Sequence, residues 1–198
     1  GESAGVVTKI GKGVTDISPG DRVMMLGGGL IEHVNVRSTG LWRIPDNFPF
    51  EKAAAVPVNY GTTWFALHQR GDIQPGETLL VTGAAGGTGS AAIQLGKAAG
   101  AVVIAIAGGS EKKRKAEELG SSFVVDYKAN ENWHKELFPV IGRKGYDIVV
   151  DNVGKPTWSR SIKLAGMGGR IVTVGNTKGP IAETDIRYLF AKQLSILG

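Results

Sequence analysis

TLLVTGAAGGTGSAAIQLGKAAGAVVIAIA, residues 78–107, decides the fold of this chain. Leu79, Leu80 and Val81 form an apolar run that reads as a buried strand. It breaks at Gly83 into the glycine turn AlaAlaGlyGlyThrGly. A helical pattern then runs to Gly100, and a second apolar run spans Val102 to Ala107. Strand, glycine turn, helix and strand make one βαβ unit with a dinucleotide-binding turn in its expected place. Without side chains at Gly86 and Gly87, a diphosphate can approach the backbone closely. Gly89 lets the helix pack against the strand. Thr88 lies among them, and the helix N-terminus offers unpaired N–H groups and a positive dipole end.

Working outward, residues 1–45 read as all-β, with short strands at 5–11, 22–26 and 31–37. Turns at SerProGlyAsp (18–21) and GlyGlyGly (27–29) divide them, and ProAspAsnPhePro (45–49) reads as a linker. From Phe50 to Gln69 the apolar spacing suggests two short helices separated by Pro57. Beyond Pro75 the pattern is α/β. Strands are expected at 78–83, 102–107, 123–127, 147–152, 170–175 and 195–198. Helices are expected at 88–100, 110–119, 131–141, 157–166 and 185–193. Six such strands with right-handed crossovers give a Rossmann-type doubly wound parallel sheet of order 3-2-1-4-5-6. The expected domains are residues 1–57 and residues 58–198, the second being the dinucleotide-binding one.

The bulk properties agree with an α/β protein. The chain has 198 residues, 42% of them hydrophobic and 21% charged, and its 30 glycines cluster at element ends. The net charge of +5 is spread without a single-sign block, so no nucleic-acid partner is expected. The run at 111–118 alternates in sign, and Glu111–Lys115, Lys113–Glu117 and Arg114–Glu118 are spaced to pair on a helix. No cysteine is present, which excludes disulfides, thiolate metal sites and a cysteine nucleophile. No apolar run approaches a membrane span and no signal peptide is recognisable, so no membrane partner and a cytoplasmic location are expected. The chain starts and stops inside strand patterns and reads as an interior fragment of a longer protein.

The second strand of an NAD-binding unit usually ends in an acid that holds the ribose 2′-hydroxyl. Here it ends at Ala107, and the next turn offers Ser110, Lys112 and Lys113. A missing carboxylate removes repulsion, and a lysine with hydroxyls can bind a 2′-phosphate, so the expected cofactor is NADP(H). Ser110 as a helix cap and Lys112 as a solvated side chain are the alternatives.

Several stretches together resemble the medium-chain dehydrogenase/reductase superfamily. They are GlyGluSerAlaGlyValVal at the start, SerProGlyAspArgVal (18–23), GlyGlyLeuIleGluHisVal (28–34) and AlaAlaAlaValProValAsnTyrGlyThrThrTrp (53–64). The glycine turn, AspAsnValGly (151–154) and ThrValGlyAsnThr (173–177) complete the set. The match follows the whole chain in order, and the zinc-independent NADPH:quinone oxidoreductases are the branch it is most similar to. That resemblance implies part of a GroES-like β domain before the Rossmann domain, and a homodimer in the full-length protein. It also places the zinc ligands of the alcohol dehydrogenases. Gly1 stands where their histidine would precede Glu2, Asn59 stands at a cysteine position, and the structural-zinc lobe after Arg22–Val23 is absent. His33, His68 and His134 share no ligand spacing, so no metal is expected.

The activity implied is metal-free hydride transfer from NADPH to a quinone or to an alkene conjugated to a carbonyl. An enoyl-thioester reductase and a non-catalytic NADPH-binding protein are the alternatives. The resemblance assigns Gly86, Gly87, Thr88 and Gly89 to the pyrophosphate, and Ser110, Lys112 and Tyr127 to the 2′-phosphate. Thr63, Val153, Gly175 and Asn176 would lie along the nicotinamide, and Asn59 would reach the acceptor carbonyl. Asn59 and Thr63 are thus the candidate catalytic residues. Simpler roles remain open: packing for Tyr127, a turn for Asn176, and back-bonding within its helix for Thr63. Asp147 and Asp151 read as loop and turn residues rather than an acid–base pair.

Overall fold

The computed structural model describes residues 1–130, 132–142 and 144–198. The chain divides into two compact units, Gly1–Gly61 and Thr62–Gly198.

The first unit holds a three-stranded antiparallel sheet of β1 (Glu2–Val6), β2 (Arg22–Leu26) and β3 (Leu41–Arg43), in that spatial order. Val23 and Met25 point from β2 into its small core, while Arg22 turns the other way. The Arg22 guanidinium donates to the Phe48 carbonyl at 2.5 Å and lies 4.0 Å from the centre of the Phe50 ring. This ties the 45–49 segment to the sheet. The strand expected at 31–37 does not form. Val34 and Val36 alternate as a strand would, but they and Ile31 are exposed, and no strand among the described residues pairs with this segment. The partner of β2 is the shorter Leu41–Arg43 segment instead.

Helix α1 (Phe50–Ala53) precedes α2 (Val56–Trp64), and the boundary between the units falls within α2. Pro57 does not separate two helices. It occupies the second position of α2, where a missing N–H costs nothing because no carbonyl of the helix is placed to receive it. From Phe65 to Arg70 the helix continues in wider, π-type turns.

The second unit is the α/β domain. Its six parallel strands are β4 (Thr78–Val81), β5 (Val102–Ala107), β6 (Phe123–Asp126), β7 (Tyr146–Val150), β8 (Ala165–Val172) and β9 (Ser195–Leu197). Their order is β6-β5-β4-β7-β8-β9, the doubly wound arrangement expected from the sequence. Helices α3 (Gly87–Ala98), α4 (Ser110–Glu118), α5 (Phe138–Ile141), α6 (Lys155–Leu164) and α7 (Ile186–Lys192) connect them, with a 3-10 turn at Trp133–Leu137 before α5. The helix expected at 131–141 is therefore a 3-10 turn followed by a single α turn, and Glu131 lies outside the described residues. Strand β8 starts five residues earlier than its expected start at 170. Gly145 and Gly166 allow this: a Cβ on Gly145 would lie 2.6 Å from Gly166 Cα, and one on Gly166 would lie 2.3 Å from the Lys144 carbonyl. The register of β7 on β8 shifts between Tyr146 and Ile148 at the same place.

Both faces of this sheet are buried, which is why its strands read as continuous apolar runs. One core gathers Leu79, Val81, Val103, Ala105, Ile148 and Val150 with Ala92 and Ile93 of α3. The other gathers Leu80, Ile104, Ile106, Val149 and Ile171 with Trp133, Leu137 and Ile162. Arg170 pins the loop before β4, donating to the carbonyls of Gly71 at 2.6 Å and Asp72 at 2.9 Å and pairing with Glu77. Strand order reverses at β4, whose neighbours are β5 on one side and β7 on the other. The crevice at the carboxyl ends of these two central strands is where such a sheet binds ligands.

Candidate functional site

The glycine turn occupies that crevice. β4 ends at Val81, Gly83 turns the chain with a φ of +60°, and Gly86 stands at the N-cap of α3. No side chain caps the helix. The first-turn N–H groups of Gly87, Thr88 and Gly89 have no carbonyl one turn back inside the helix to bond. Gly86 and Gly87 are exposed, while Gly89 is buried against the turn. A Cβ at Gly89 would stand 2.3 Å from the Gly83 carbonyl oxygen and 2.8 Å from Ala84 Cα. A Cβ at Gly86 would meet the Gly83 oxygen at 3.3 Å. The turn is a backbone cradle with a positive helix end, a donor set that fits a diphosphate.

Thr63 is buried and its hydroxyl donates to the Thr88 carbonyl at 3.3 Å, so it does not back-bond within its own turn. Val153 lies over the turn: a Cβ on Gly83 would touch Val153 Cγ2 at 3.2 Å.

Across the crevice, the segment after β7 is organised by Asp151. This carboxylate is fully buried. Its Oδ1 accepts from the Thr82 hydroxyl at 3.1 Å, the N–H groups of Val153 and Gly154 at 3.1 Å each, and the Thr157 hydroxyl at 2.7 Å. Its Oδ2 accepts from the Ser161 hydroxyl at 2.5 Å. Asp151 is a turn residue, as its place after an apolar strand suggests, and it joins β4, β7 and α6 at one point. Asp147, at the other end of β7, accepts from both the N–H and the hydroxyl of Thr78 at 2.8 Å and from Lys144. Burial pushes its carboxyl up, but the Thr78 donors and Lys144 outweigh this and hold it below the usual range.

The loop after β8 carries Gly175 and Asn176. The Gly175 carbonyl accepts from the Thr173 hydroxyl at 3.0 Å. Asn176 is exposed, and its carbonyl closes a turn on the Gly179 N–H at 3.0 Å. One residue with no role in the sequence reading beyond its place in a motif is central here. Asn152 follows Asp151 at the end of β7 and is 7% exposed. Its Nδ2 donates to the Thr88 hydroxyl at 3.3 Å, and its Oδ1 accepts from the Val174 N–H at 3.0 Å. A second polar residue, just past the strand that neighbours β4, was the available signal.

At the far end of the crevice, β5 ends at Ala107 and the next residues are Gly108 and Gly109, with no carboxylate. The ring of Tyr127 covers Gly108 so closely that a Cβ there would lie 2.5 Å from the ring. Tyr127 is nonetheless 46% exposed. Helix α4 begins at Ser110 with Gly109 as its uncapped N-cap, so Ser110 is not the cap. Ser110 and Lys112 are exposed in the first turn of that helix. Asp126 holds this corner: its Oδ1 accepts from the Gly109 N–H at 2.8 Å and the Lys128 N–H at 2.9 Å. Those donors, the Gly109 N–H foremost, keep its carboxyl below the usual range. Of the three expected pairs on α4, Arg114–Glu118 closes at 2.6 Å.

In the first unit, Asn59 Nδ2 donates back to the Ala55 carbonyl at 3.1 Å, and Glu2 accepts from the Val58 N–H at 2.6 Å. Among the described residues, no three His, Asp or Glu side chains converge as a metal site would require, and no helix is long and apolar enough to cross a membrane.

Comparison with known proteins places this arrangement. Residues 87–198 match the family of zinc-binding dehydrogenases. The chain is 38% identical over 200 residues to quinone oxidoreductase-like protein 2 of Bos taurus, covering all of this chain and 57% of that protein. The crystal structure of an NAD-dependent alcohol dehydrogenase superposes with a TM-score of 0.89 at 34% identity, over 98% of this chain and 65% of that one. The Escherichia coli quinone oxidoreductase complexed with NADPH superposes with a TM-score of 0.83 at 32% identity, over 98% of this chain and 61% of that one. The chain therefore spans less than two thirds of each of these relatives. It belongs to the zinc-binding dehydrogenase family, on the quinone oxidoreductase-like side of the medium-chain dehydrogenase/reductase superfamily.

Proposed function

We propose that this chain is the cofactor-binding part of an NADPH-dependent oxidoreductase that reduces a quinone or an enone without zinc. The observation that carries the reading is the glycine turn at the switch point, where α3 starts on exposed glycines with no side chain capping it. Bound NADPH would supply the hydride. Gly86, Gly87, Thr88 and Gly89 would hold its diphosphate through main-chain N–H groups, a contact that also excludes water from that face. Ser110, Lys112 and Tyr127 would hold the 2′-phosphate. No carboxylate at the end of β5 opposes that charge, and the nearby Asp126 is already engaged by two main-chain N–H groups. Val153, Gly175 and Asn176 would flank the nicotinamide, and Thr63 would brace the turn through the Thr88 carbonyl. Asn59 would donate its second amide N–H to the acceptor carbonyl.

Metal-free chemistry is supported by the absence of cysteine and by Gly1 and Asn59 at the two positions where the family resemblance implies zinc ligands. The NADPH complex of the Escherichia coli relative supports the choice of cofactor. A cytoplasmic homodimer whose first unit is part of a GroES-like domain is the assembly this reading implies.

The test is calorimetric titration of the complete protein with NADPH and with NADH. Tighter binding of NADPH, with Lys112→Glu reducing that preference by about tenfold, is the expected result. Turnover of 1,4-benzoquinone or an enone should survive a chelator. Tighter binding of NADH, or stoichiometric zinc in the active protein, would refute the proposal.

A further inference from the structure

The two halves of the sheet meet across the crevice between β4 and β7, and one side chain spans it. Asn152 Nδ2 donates to the Thr88 hydroxyl at 3.3 Å, on the pyrophosphate side. It takes the Val174 N–H on its Oδ1 at 3.0 Å, on the loop that leads to Gly175 and Asn176. Its own carbonyl accepts from the Thr177 N–H at 3.1 Å and from the Thr177 hydroxyl at 3.3 Å. The same loop is therefore gripped twice by one residue. Asn152 is buried, so these bonds are not traded for water. A carboxamide suits this place because it is donor at one end and acceptor at the other, and it must serve a hydroxyl and an N–H at once.

We propose that Asn152 is a positioning residue that sets the nicotinamide-side loop, Val174–Thr177, at a fixed spacing from the pyrophosphate turn. It acts through Thr88 and Val174 and does not itself touch the cofactor. The inference rests on the cofactor placement proposed above. With the loop fixed, binding the diphosphate half delivers the nicotinamide half to a preformed wall. With the loop free, the nicotinamide end must order it.

The ratio of two affinities tests this. NADPH and 2′-phospho-ADP-ribose share the adenosine 2′-phosphate and the diphosphate, and only NADPH reaches the loop. The wild-type complete protein is titrated with both; if NADPH does not bind it, the cofactor reading itself fails. In Asn152→Ala, NADPH affinity should fall about tenfold or more and 2′-phospho-ADP-ribose affinity by less than about threefold. Asn152→Asp is the second variant. Its carboxylate can accept from Val174 and from the Thr88 hydroxyl, so the link survives while a negative charge is added near the diphosphate. Both affinities should then fall, with their ratio restored to the wild-type value. Equal losses for both ligands in Asn152→Ala, or no loss for either, would overturn the proposal. So would an Asn152→Asp ratio that matches that of Asn152→Ala.

Discussion

Substituting Gly89 by alanine places the smallest side chain where the turn has no room. The added Cβ would lie 2.3 Å from the Gly83 oxygen, 2.8 Å from Ala84 Cα and 2.9 Å from the Gly83 carbonyl carbon. All three are main-chain atoms that cannot swing aside as a flexible side chain would. Carbon atoms in contact sit about 3.5–4.0 Å apart, so the start of α3 must retreat from the turn by on the order of 1 Å. Overpacking of this kind costs ~1–3 kcal/mol, and a rigid obstacle puts Gly89→Ala near the upper end. Alanine's better helix propensity returns ~1 kcal/mol at most. The net loss of ~2 kcal/mol corresponds to a fall in Tm of roughly 4–8 °C for a domain of this size. The retreat would also draw the first-turn N–H groups away from the diphosphate in the placement proposed above. Losing one charge-assisted hydrogen bond weakens NADPH binding by about 10–100-fold.

Gly86→Ala is the control. Gly86 has a φ of −77° and a ψ of 174°, which any residue adopts, and its Cβ would meet the Gly83 oxygen at 3.3 Å, a contact far milder than that at Gly89. This variant should melt within about 2 °C of wild type yet lose about tenfold in NADPH affinity, because its methyl stands in the cradle. Differential scanning calorimetry and isothermal titration on the complete protein read both quantities. A Gly89→Ala protein that melts and binds as wild type would refute the close approach of α3 to Gly83. A Gly86→Ala protein that binds as wild type would refute the cradle.

Two further perturbations probe the frame around the site. Asp147 has its carboxyl held below the usual range, so its stabilising effect is complete above the unfolded value near ~3.9 and fades as pH falls through the folded value. The Tm of wild type should therefore drop more steeply from about pH 5 to pH 3 than that of Asp147→Asn, and parallel curves would contradict it. Arg170→Ala removes the bonds to Gly71 and Asp72 and the ion pair with Glu77, whose other oxygen keeps the Gln74 N–H. Urea unfolding should show a loss of about 2–3 kcal/mol, and a loss under about 0.5 kcal/mol would mean the pin is ornamental.

The α/β half was legible because its strands are buried on both faces and bounded by glycine. Leu79–Val81 and Val102–Ala107 could pack in few other ways, and the turn between them has one chemistry. The β-rich half was less legible because its strands owe their existence to partners. Val34–Arg37 alternates, yet among the described residues no strand pairs with it, whereas the three-residue Leu41–Arg43 has β2 beside it. Early β8 was hidden by Gly166, Gly168 and Gly169, which look like a turn in isolation, although Gly166 passes close against the Lys144–Gly145 backbone and Gly169 against the Tyr146 carbonyl. At the site, the glycine motif was readable from residue types alone. Asn152 was not, because its importance lies in bonds to Thr88 and Val174, 64 and 22 residues away.

Those separations bear on how the site comes into being. The glycine motif is short and contiguous, but the ties that fix it arrive from far along the chain: Thr78 to Asp147 and Thr82 to Asp151 each span 69 residues, and Thr88 to Asn152 spans 64. Closing loops of that length is entropically costly, and such contacts form late in folding relative to the helices that flank them. A nascent chain that has emerged only as far as β6 thus carries the whole motif and the Thr63–Thr88 bond, but none of these three ties. Cofactor binding should appear during synthesis or refolding only when β7 docks beside β4, in step with the closing of the sheet and not with the formation of α3.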